Sequence, residues 1–498
     1  MKKITKNFKR IASVILALAM VFAMTISAFA AETPPTYSIS VSDGDAHTYQ
    51  VYQIFTGDLS EEDGTKVLSN LKWGLNGTIK SGEVSETVKK ALEDVNNVSD
   101  REKLNVITQY VDFTSDAIAT VKKNSPYTNA APGYYLLKTE DSSVSDNDVF
   151  STYIVKIVSS VSVSSKSDVP EVEKKVKDTN DSTNTTTEWQ DSADYDIGDT
   201  ISFKLTGTLP DNYVDYIKYH LVFNDTMTNM SDVTITSAYL TDASGTTVKS
   251  FATSDYTSTS DNGNLTISFA DLKTSSINAD IANSYKVVVE YTAKLTDSAV
   301  SGSAGNANEV TITYTNDPNW DGTGTDEPTG TTPKDKVVVF TYTLIINKVD
   351  ENSKALVGAG FTLQKKGTDG EYANVGGEID GTALSTFTWS GLDDGDYQLV
   401  ETTTPAGYNT IDPIKFTITA VHDTSSEDPK LTELSTTFKN ATTNLTAGSI
   451  TGTVQNQKGA SLPETGGMGT TVFYIVGAVL VLGAAVLLIN RRRMNAAE

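Results

Sequence analysis

An apolar run near the C-terminus constrains this chain of 498 residues more than any other feature. Residues 472–490 carry no charged side chain, and a run of this length suits one membrane pass as a helix. Arg491, Arg492 and Arg493 follow, and basic residues at this position hold the C-terminus on the cytoplasmic side. We therefore expect a transmembrane helix over 472–490, a cytoplasmic basic tail over 491–498, and the preceding chain outside the cell.

A short motif precedes the helix at the position where an extracytoplasmic enzyme would reach it. It reads Leu462-Pro463-Glu464-Thr465-Gly466. The order of motif, apolar span and basic tail resembles the sorting signal of Gram-positive surface proteins, in which a sortase cleaves between the Thr and the Gly. The resemblance implies cleavage after Thr465 and attachment of the protein to peptidoglycan. The alternative is an ordinary single-pass membrane anchor.

The N-terminus and the composition agree with export. Residues 1–30 have the layout of a signal peptide, with basic residues before an apolar run at 11–22 and small residues at Ala28-Phe29-Ala30. There is no cysteine, which excludes disulfides and thiol chemistry. The net charge of −24 argues against binding to nucleic acid, because such binding depends on cationic contacts to phosphate.

The exported part is long enough for three domains and rich in short alternating runs separated by Gly, Asn and Asp. This pattern predicts a mainly β protein of tandem immunoglobulin-like sandwiches, of the reverse-immunoglobulin or B type. We place the domains at 32–165, 168–335 and 340–457. Apolar residues recur at intervals of three and four over 83–122, which predicts some helix in the first domain.

The first domain contains HTYQVYQIFTGDLS from His47 and APGYYLLK from Ala131, and these stretches resemble the N-terminal domain of Gram-positive backbone pilins. Residues 161–170, which alternate and end in proline, are expected to form an edge strand leaving this domain.

In backbone pilins the corresponding junction carries a motif of the form V-x-V-Y-P-K, whose lysine attacks the sortase acyl-enzyme of the incoming subunit. Val161, Val163 and Lys166 match this motif, whereas Ser164 and Ser165 stand where the family has Tyr and Pro. The resemblance implies Lys166 as the inter-subunit nucleophile. Lys156 and the Lys174/Lys175 pair are alternatives.

The second domain opens with a strand that places Val172, Lys174 and Val176 on one face. A buried unpaired ammonium is costly, so Lys174 requires a partner or a function. Together with Asp225 and Asn316 it resembles the fimbrial isopeptide-forming domain of pilins. That resemblance implies a bond from Lys174 to Asn316 assisted by Asp225. Asn308 has the same strand parity and is the alternative acceptor, and a simple buried salt bridge is the alternative to any bond.

Burial explains why such residues react. In an apolar core the pKa of a lysine falls and that of a carboxylic acid rises, so that both become neutral. The free amine is then a nucleophile, and the acid polarises the amide carbonyl by hydrogen bonding. The products are a new amide and ammonia.

The third domain contains TLIINKVD from Thr343, LVGAGFTL from Leu356 and GDYQLVETTTPAGY from Gly395. This series resembles the collagen-adhesin B-type domain, a small reverse-immunoglobulin sandwich that forms the same kind of bond. The match implies Lys348 as nucleophile, Glu401 as assisting acid and Asn456 as acceptor, with Asn440 as the alternative acceptor.

No pattern of an enzyme acting on outside substrates is found. The three histidines, His47, His220 and His422, are far apart without a partnered serine, and pairs such as Asp393-Asp394 are expected to be solvated turn residues. Residues 317–335 read as a linker, and their acidic residues lack the spacing of an EF-hand loop. We predict no metal and no cofactor.

We therefore expect the major subunit of a sortase-assembled pilus at the cell surface, bound to the cell wall after a transient membrane stage. The implied partners are a class C sortase, then a housekeeping sortase, other pilin subunits and peptidoglycan. The alternative is a monomeric wall-anchored adhesin whose first domain binds a host ligand.

Overall fold

The computed structural model describes residues 35–62, 65–94, 100–165, 168–323, 327–459 and 469–494. It is mainly β, as predicted, with three successive β domains followed by one long helix. The signal peptide, Lys166 and the motif at 462–466 lie outside the described residues.

The first domain pairs two sheets with two helices. Its elements are β1 (Tyr37–Val41), β2 (Tyr49–Glu62), β3 (Thr65–Trp73), α1 (Glu86–Asp94), α2 (Asp100–Thr108), β4 (Ala119–Val121), β5 (Tyr127–Ala130), β6 (Gly133–Thr139), β7 (Thr152–Ile157) and β8 (Val161–Val163). The strand orders are β5-β1-β8 and β3-β2-β6-β7, with β4 beside β2. The helix prediction over 83–122 is right for α1 and α2 but wrong at its end, where residues 119–121 pair with β2. The predicted edge strand is β8, which pairs in parallel with β1.

The second domain is a two-sheet sandwich. Its strands are β9 (Glu171–Val176), β10 (Thr179–Asn180), β11 (Thr185–Thr186), β12 (Ser192–Asp194), β13 (Thr200–Thr208), β14 (Leu221–Met227), β15 (Met230–Thr241), β16 (Thr247–Ser250), β17 (Thr257–Asp261), β18 (Asn264–Phe269), β19 (Lys286–Leu295), β20 (Asn306–Thr315), β21 (Thr329–Thr331) and β22 (Asp335–Phe340).

One sheet has the order β16-β15-β19-β13-β9, and the facing sheet has the order β12-β22-β20-β14-β18-β17 with β21 beside β20. Phe203, Phe223, Ile267 and Ile312 pack between the sheets. Because β22 pairs with β20 in this sandwich, the second domain continues past residue 335 to Phe340.

The third domain is a smaller sandwich. Its strands are β23 (Tyr342–Val349), β24 (Ala359–Lys366), β25 (Tyr372–Asn374), β26 (Ile379–Gly381), β27 (Thr386–Leu392), β28 (Gly395–Thr403), β29 (Ile414–His422), β30 (Leu431–Thr436), β31 (Thr442–Asn444) and β32 (Ser449–Gln455). The sheet orders are β27-β23-β32-β31 and β25-β24-β28-β29-β30, with β26 beside β24. The first strand, β23, and the last, β32, are parallel neighbours.

The final helix, α3, runs over Gly469–Met494. Its segment Val472–Arg492 has a mean hydropathy of 2.8 and is long and apolar enough to cross a membrane. The side chains of this segment pack against no other part of the described chain, as expected for a helix whose partner is lipid.

Candidate functional site

The second domain buries a lysine against a carboxylate and a tyrosine between its two sheets. Lys174 on β9 is fully buried, and its Nζ contacts Asp225 Oδ2 from the facing sheet. The same Nζ lies 3.0 Å from the Tyr291 hydroxyl on β19, which donates a hydrogen bond of 3.0 Å to Asp225 Oδ2. Lys174 shares one face of β9 with Val172 and Val176, and its side chain therefore points into the core.

Burial controls the charge state of this pair. Loss of solvation lowers the pKa of Lys174, although Asp225 opposes the shift, and it raises the pKa of Asp225 against the effect of Lys174. Both shifts favour the neutral forms, an amine beside a carboxylic acid. Burial thus favours the uncharged form of Lys174, which is the form that a nucleophile requires.

The structure brings Asn308, and not Asn316, to this cluster. Asn308 on β20 is fully buried, and its Nδ2 donates a hydrogen bond of 2.8 Å to the Tyr291 hydroxyl. Lys174 Nζ and the Asn308 amide are therefore both within hydrogen-bond distance of one oxygen. Asn308 Oδ1 and Asp225 Oδ1 are buried without a hydrogen-bond partner among the described residues.

The register of the sheet places the predicted acceptor, Asn316, outside this cluster. Asp225 pairs with Val310, so Asn316 lies six residues farther along, about 20 Å at the rise of a β-strand. Its backbone carbonyl instead accepts from Phe150 of the first domain at 2.7 Å. Asn316 shares its inward parity with Asn308 but lies at the junction of the first two domains.

The third domain brings all three predicted residues into one buried cluster. Asn456 directly follows β32, and its Oδ1 contacts Lys348 on β23. The Asn456 Nδ2 donates to both carboxylate oxygens of Glu401 on β28, at 2.9 and 3.1 Å. Lys348 Nζ lies 3.9 Å from Glu401 Oε1. The alternative acceptor, Asn440, is exposed in a turn and is not part of this cluster.

Two details of this cluster bear on reactivity. Burial lowers the pKa of Lys348 to about 8, although Glu401 opposes the shift. Glu401 faces the amide nitrogen of Asn456, whereas the sequence argument predicts an acid that polarises the carbonyl. The acid is thus next to the leaving group, where it can pass a proton to the departing ammonia.

Both clusters have the groups needed for one reaction. In that reaction a neutral lysine amine would attack the Asn Cγ, so that a C–N bond forms to Nζ and the bond to Nδ2 breaks. Nδ2 would leave as ammonia with the proton that Nζ gives up, and the carboxyl group is placed to carry that proton between them. The products would be one amide cross-link and one ammonia, and the reaction needs no oxidant.

The expectation of solvated charges at Asp393-Asp394 is wrong. Asp393 is fully buried and Asp394 half-buried, because the β27–β28 turn packs against the second domain. Asp393 N donates to Asp196 Oδ1 at 2.8 Å, and Lys365 Nζ contacts Asp181, Asp196 and Asp393 at 3.2, 2.6 and 3.1 Å. Contacts between domains leave no periodic signal in a sequence.

The expectation that no histidine has a serine partner is also wrong. His422 Nδ1 lies 2.7 Å from Ser192 Oγ, and its Nε2 lies 3.5 Å from both Asp178 and Asp194. This serine is fully buried, and its hydroxyl donates to the Asp423 carbonyl oxygen at 2.5 Å. The arrangement is that of a structural contact between domains, since the hydroxyl is neither accessible to a substrate nor free to give its proton to the imidazole.

Comparison with protein families matches two parts of the chain. Residues 342–430 match the SpaA family, described as a prealbumin-like fold domain. Residues 454–495 match the LPXTG cell wall anchor motif. The chain therefore carries the C-terminal signal of a cell wall-anchored surface protein.

Two similar proteins come from Streptococcus pyogenes. The trypsin-resistant surface T6 protein of serotype M6 is 26% identical over 397 residues, covering 66% of this chain and 70% of that protein. The solved structure of the T6 backbone pilin of serotype M6, described as a modular three-domain structure, aligns with a TM-score of 0.54 at 16% identity. It covers 87% of this chain and all of that one, which shows a shared fold.

Proposed function

We propose that the chain is the backbone subunit of a covalently polymerised surface pilus. Sortase breaks the bond between Thr465 and Gly466, and the Thr465 acyl group passes from the enzyme to a lysine amine of the next subunit, which we assign to Lys166. Each subunit is reinforced by bonds from Lys174 to Asn308 and from Lys348 to Asn456. The observation that carries this proposal is the presence of two buried lysine–acid–asparagine clusters in tandem sandwich domains ahead of a cell wall anchor motif.

The two internal bonds suit a protein that bears load. A cross-link that closes a loop of about 100 residues stabilises a protein by on the order of 4–5 kcal/mol when treated like a disulfide. In the third domain the bond connects the first strand to the last, which are parallel neighbours. Tension that enters by β23 and leaves beyond β32 therefore passes through a covalent link.

The surroundings of Lys166 support its assignment. The strand before it, β8, lies at a sheet edge, and Ser165 N donates a hydrogen bond to Asp45 in the first domain. Tyr153 also donates to the Ser164 carbonyl oxygen at 2.7 Å. The chain is thus held on the first domain up to the residue before Lys166. The likeness to a protein described as a backbone pilin adds to this support.

Polymerisation is tested in cells that express the chain with its cognate class C sortase. We expect the wild type to give a high-mass ladder on denaturing gels and Lys166→Ala to give exported monomer without a ladder. Lys156→Ala is the matched control, since Lys156 lies on β7 of the same domain and is one of the alternative assignments. It should leave the ladder unchanged.

The outcomes separate the two functions considered. A ladder that persists in Lys166→Ala contradicts the assignment of the linking lysine. Absence of a ladder in the wild type contradicts the pilus and favours a monomeric adhesin attached through Thr465. A housekeeping sortase would attach either product to peptidoglycan, so wall attachment alone does not discriminate between them.

A further inference from the structure

One buried carboxylate of the first domain connects the start of β2 with the end of the domain. Asp45 and His47 are 5% and 4% exposed. Asp45 Oδ1 accepts a hydrogen bond of 2.9 Å from the backbone N of His47 and lies 2.7 Å from the Nδ1 of its ring. Asp45 Oδ2 accepts from the Tyr49 hydroxyl at 2.7 Å and from the backbone N of Ser165. The carboxylate thus joins two side chains of the HTYQ motif to a residue 120 positions away.

Ser165 lies where sheet pairing no longer fixes the chain. The strand before it, β8, ends at Val163. Beyond that point a side chain holds the backbone, since the Ser165 amide donates to Asp45. The next residue in the sequence is Lys166, which we assign as the linking lysine. Asp45 therefore fixes the backbone directly before the proposed nucleophile.

His47 connects this carboxylate to the second domain. Its Nε2 lies 2.9 Å from Asp148 Oδ2, so each ring nitrogen faces a carboxylate. The residue after Asp148 is Val149, which is buried in the core of the second domain. The histidine that orients Asp45 is therefore itself held by a segment docked on the neighbouring domain.

The charges of this cluster favour one arrangement. The contact with Asp148 raises the pKa of His47 against the effect of burial, and Asp45 adds to the rise. Burial alone would raise the pKa of Asp45, but hydrogen bonds from Tyr49, His47 and Ser165 outweigh it and hold that pKa below its usual value. A protonated imidazole donates from both nitrogens, and hydrogen bonds between charged groups are the strong ones. Asp45 is thus kept with Oδ2 toward Ser165.

We propose that Asp45, oriented by His47 and Tyr49, is a positioning residue for the joint between subunits. It holds the backbone at Ser165, so that the following lysine meets the sortase acyl-enzyme from a fixed point. This role rests on the proposed function, because it takes Lys166 as the linking residue.

The positioning residues take no part in the bond exchange. In the linking step the lysine amine attacks the Thr465 carbonyl carbon, a C–N bond forms, and the bond to the enzyme breaks. The departing group of the enzyme takes up the proton that the amine gives up. A backbone that is ordered beforehand loses less conformational freedom when lysine and acyl-enzyme meet, and the reaction is correspondingly faster.

The hydrogen bond itself is tested by amide hydrogen exchange of the full chain purified in detergent, with overlapping peptides that isolate residue 165. Asp45→Ala removes the acceptor and should speed exchange of the Ser165 amide about tenfold or more. Asp112→Ala is the matched control, since Asp112 accepts a hydrogen bond of 3.0 Å from the backbone N of Thr114 in the same domain. It should leave exchange at Ser165 unchanged.

Positioning is tested by incubating the same proteins with the cognate class C sortase and an excess of a synthetic peptide that contains LPETG. Mass spectrometry of proteolytic fragments gives the rate at which this peptide is joined to Lys166. Asp45→Ala should lower that rate on the order of tenfold, the effect of one hydrogen bond to a charged group. Asp112→Ala should link at the wild-type rate.

Conservative variants separate positioning from loss of the fold. Tyr49→Phe removes one donor to Asp45 without a change of shape and should slow linkage in the same direction but less. His47→Leu removes both carboxylate contacts of the ring, whereas His47→Asn keeps an amide donor in place of Nδ1. His47→Asn should therefore link faster than His47→Leu. A packing role alone would give the opposite order, because a buried position then favours the apolar side chain.

Three outcomes overturn the role of Asp45: exchange at Ser165 that stays slow in Asp45→Ala, faster exchange with an unchanged linkage rate, or linkage equally slow in Asp45→Ala and Asp112→Ala. Each of them leaves the pilus proposal standing when the wild type links at Lys166. A wild type that joins the peptide to another lysine instead contradicts the assignment of Lys166, and the role of Asp45 fails with it.

Discussion

The second and third domains bring a lysine and an asparagine together in different ways. In the third domain both residues lie on neighbouring strands of one sheet, and Lys348 touches the Asn456 amide directly. In the second domain Lys174 and Asn308 lie on facing sheets, and the Tyr291 hydroxyl lies between them. One proposed bond fastens strands within a sheet and the other fastens one sheet to its partner.

The acids differ as well. Asp225 contacts the nucleophile, Lys174, whereas Glu401 contacts the acceptor amide of Asn456. Asp225 is therefore placed to handle the proton of the amine, and Glu401 to deliver a proton to the leaving ammonia. The proposed reaction requires a buried, neutral amine with a carboxyl group within reach, and two different strand arrangements supply that combination here.

Removal of the acid is expected to have the largest effect. General acid–base groups contribute about 10²- to 10⁴-fold to a rate, so Asp225→Asn and Glu401→Gln should slow bond formation by that amount in their own domains. The chain is recovered unfolded from insoluble material, refolded by dilution and sampled over time. Mass spectrometry of proteolytic peptides then gives the linked fraction in each domain.

Two matched carboxylates serve as controls for these variants. Glu309 on β20 contacts Lys334 at 2.9 Å, and Glu378 accepts a hydrogen bond of 2.7 Å from Thr402 near Glu401. Glu309→Gln and Glu378→Gln should link at the wild-type rate. If the Asp225 and Glu401 variants also link at that rate, the assignment of the acids is wrong.

The pH of refolding should have the next largest effect, and it should change the rate of bond formation differently in the two domains. Burial lowers the pKa of Lys348 to about 8, and only the deprotonated amine attacks. Below that pKa the fraction of free amine falls tenfold per pH unit. At a pH two units below the pKa, the third-domain bond should therefore form about 100-fold more slowly. The second-domain bond should vary less, because burial moves Lys174 and Asp225 both toward their neutral forms.

The same refolding assay, buffered from about pH 6 to pH 9, measures this dependence around the Lys348 pKa. A third-domain rate that is flat across the range, or that falls as pH rises, contradicts a lysine nucleophile with a lowered pKa.

Replacement of Tyr291 should have the smallest effect of the three and should appear in one domain only. Tyr291→Phe removes the hydroxyl that bridges Lys174, Asp225 and Asn308. The hydrogen bonds of this hydroxyl orient the Asn308 amide and contribute about 1 to 1.5 kcal/mol. Their loss should therefore make linkage in the second domain roughly tenfold slower. Linkage in the third domain should not change.

Tyr397→Phe is the matched control, since Tyr397 is a fully buried tyrosine of the third domain whose hydroxyl donates to the Asp393 carbonyl oxygen at 2.8 Å. It should leave both linkage rates unaltered. An equal effect of Tyr291→Phe on both domains would mean that the variant perturbs folding in general and that Tyr291 does not position Asn308.

The sequence predicts the residue types of these clusters better than their pairing. Alternation on β9 and β20 correctly places Lys174 and Asn308 on inward faces, since side-chain parity has a period of two, and Asn316, directly after β20, has the same parity. Parity cannot distinguish Asn308 from Asn316, which differ by eight residues. That choice depends on the register of β14 against β20, which long-range packing decides.

Contacts between distant elements were beyond sequence reasoning for the same reason. Tyr291 enters the second-domain cluster from β19, whose neighbours no local pattern reveals. Asp393 and Asp394 have the composition of an exposed turn and are buried only because another domain covers them. The third-domain triad was predicted in full because its three segments each carry a recognisable motif.

The most direct test of the central claim is the mass of the intact chain, followed by mapping of its linked peptides. Two bonds predict a deficit of about 17 Da each, the mass of one ammonia, relative to the unlinked chain. Mapping should recover Lys174 joined to Asn308 and Lys348 joined to Asn456. A mass equal to that of the unlinked chain would contradict both bonds, and Lys174 joined to Asn316 would contradict the register on which the second-domain assignment depends.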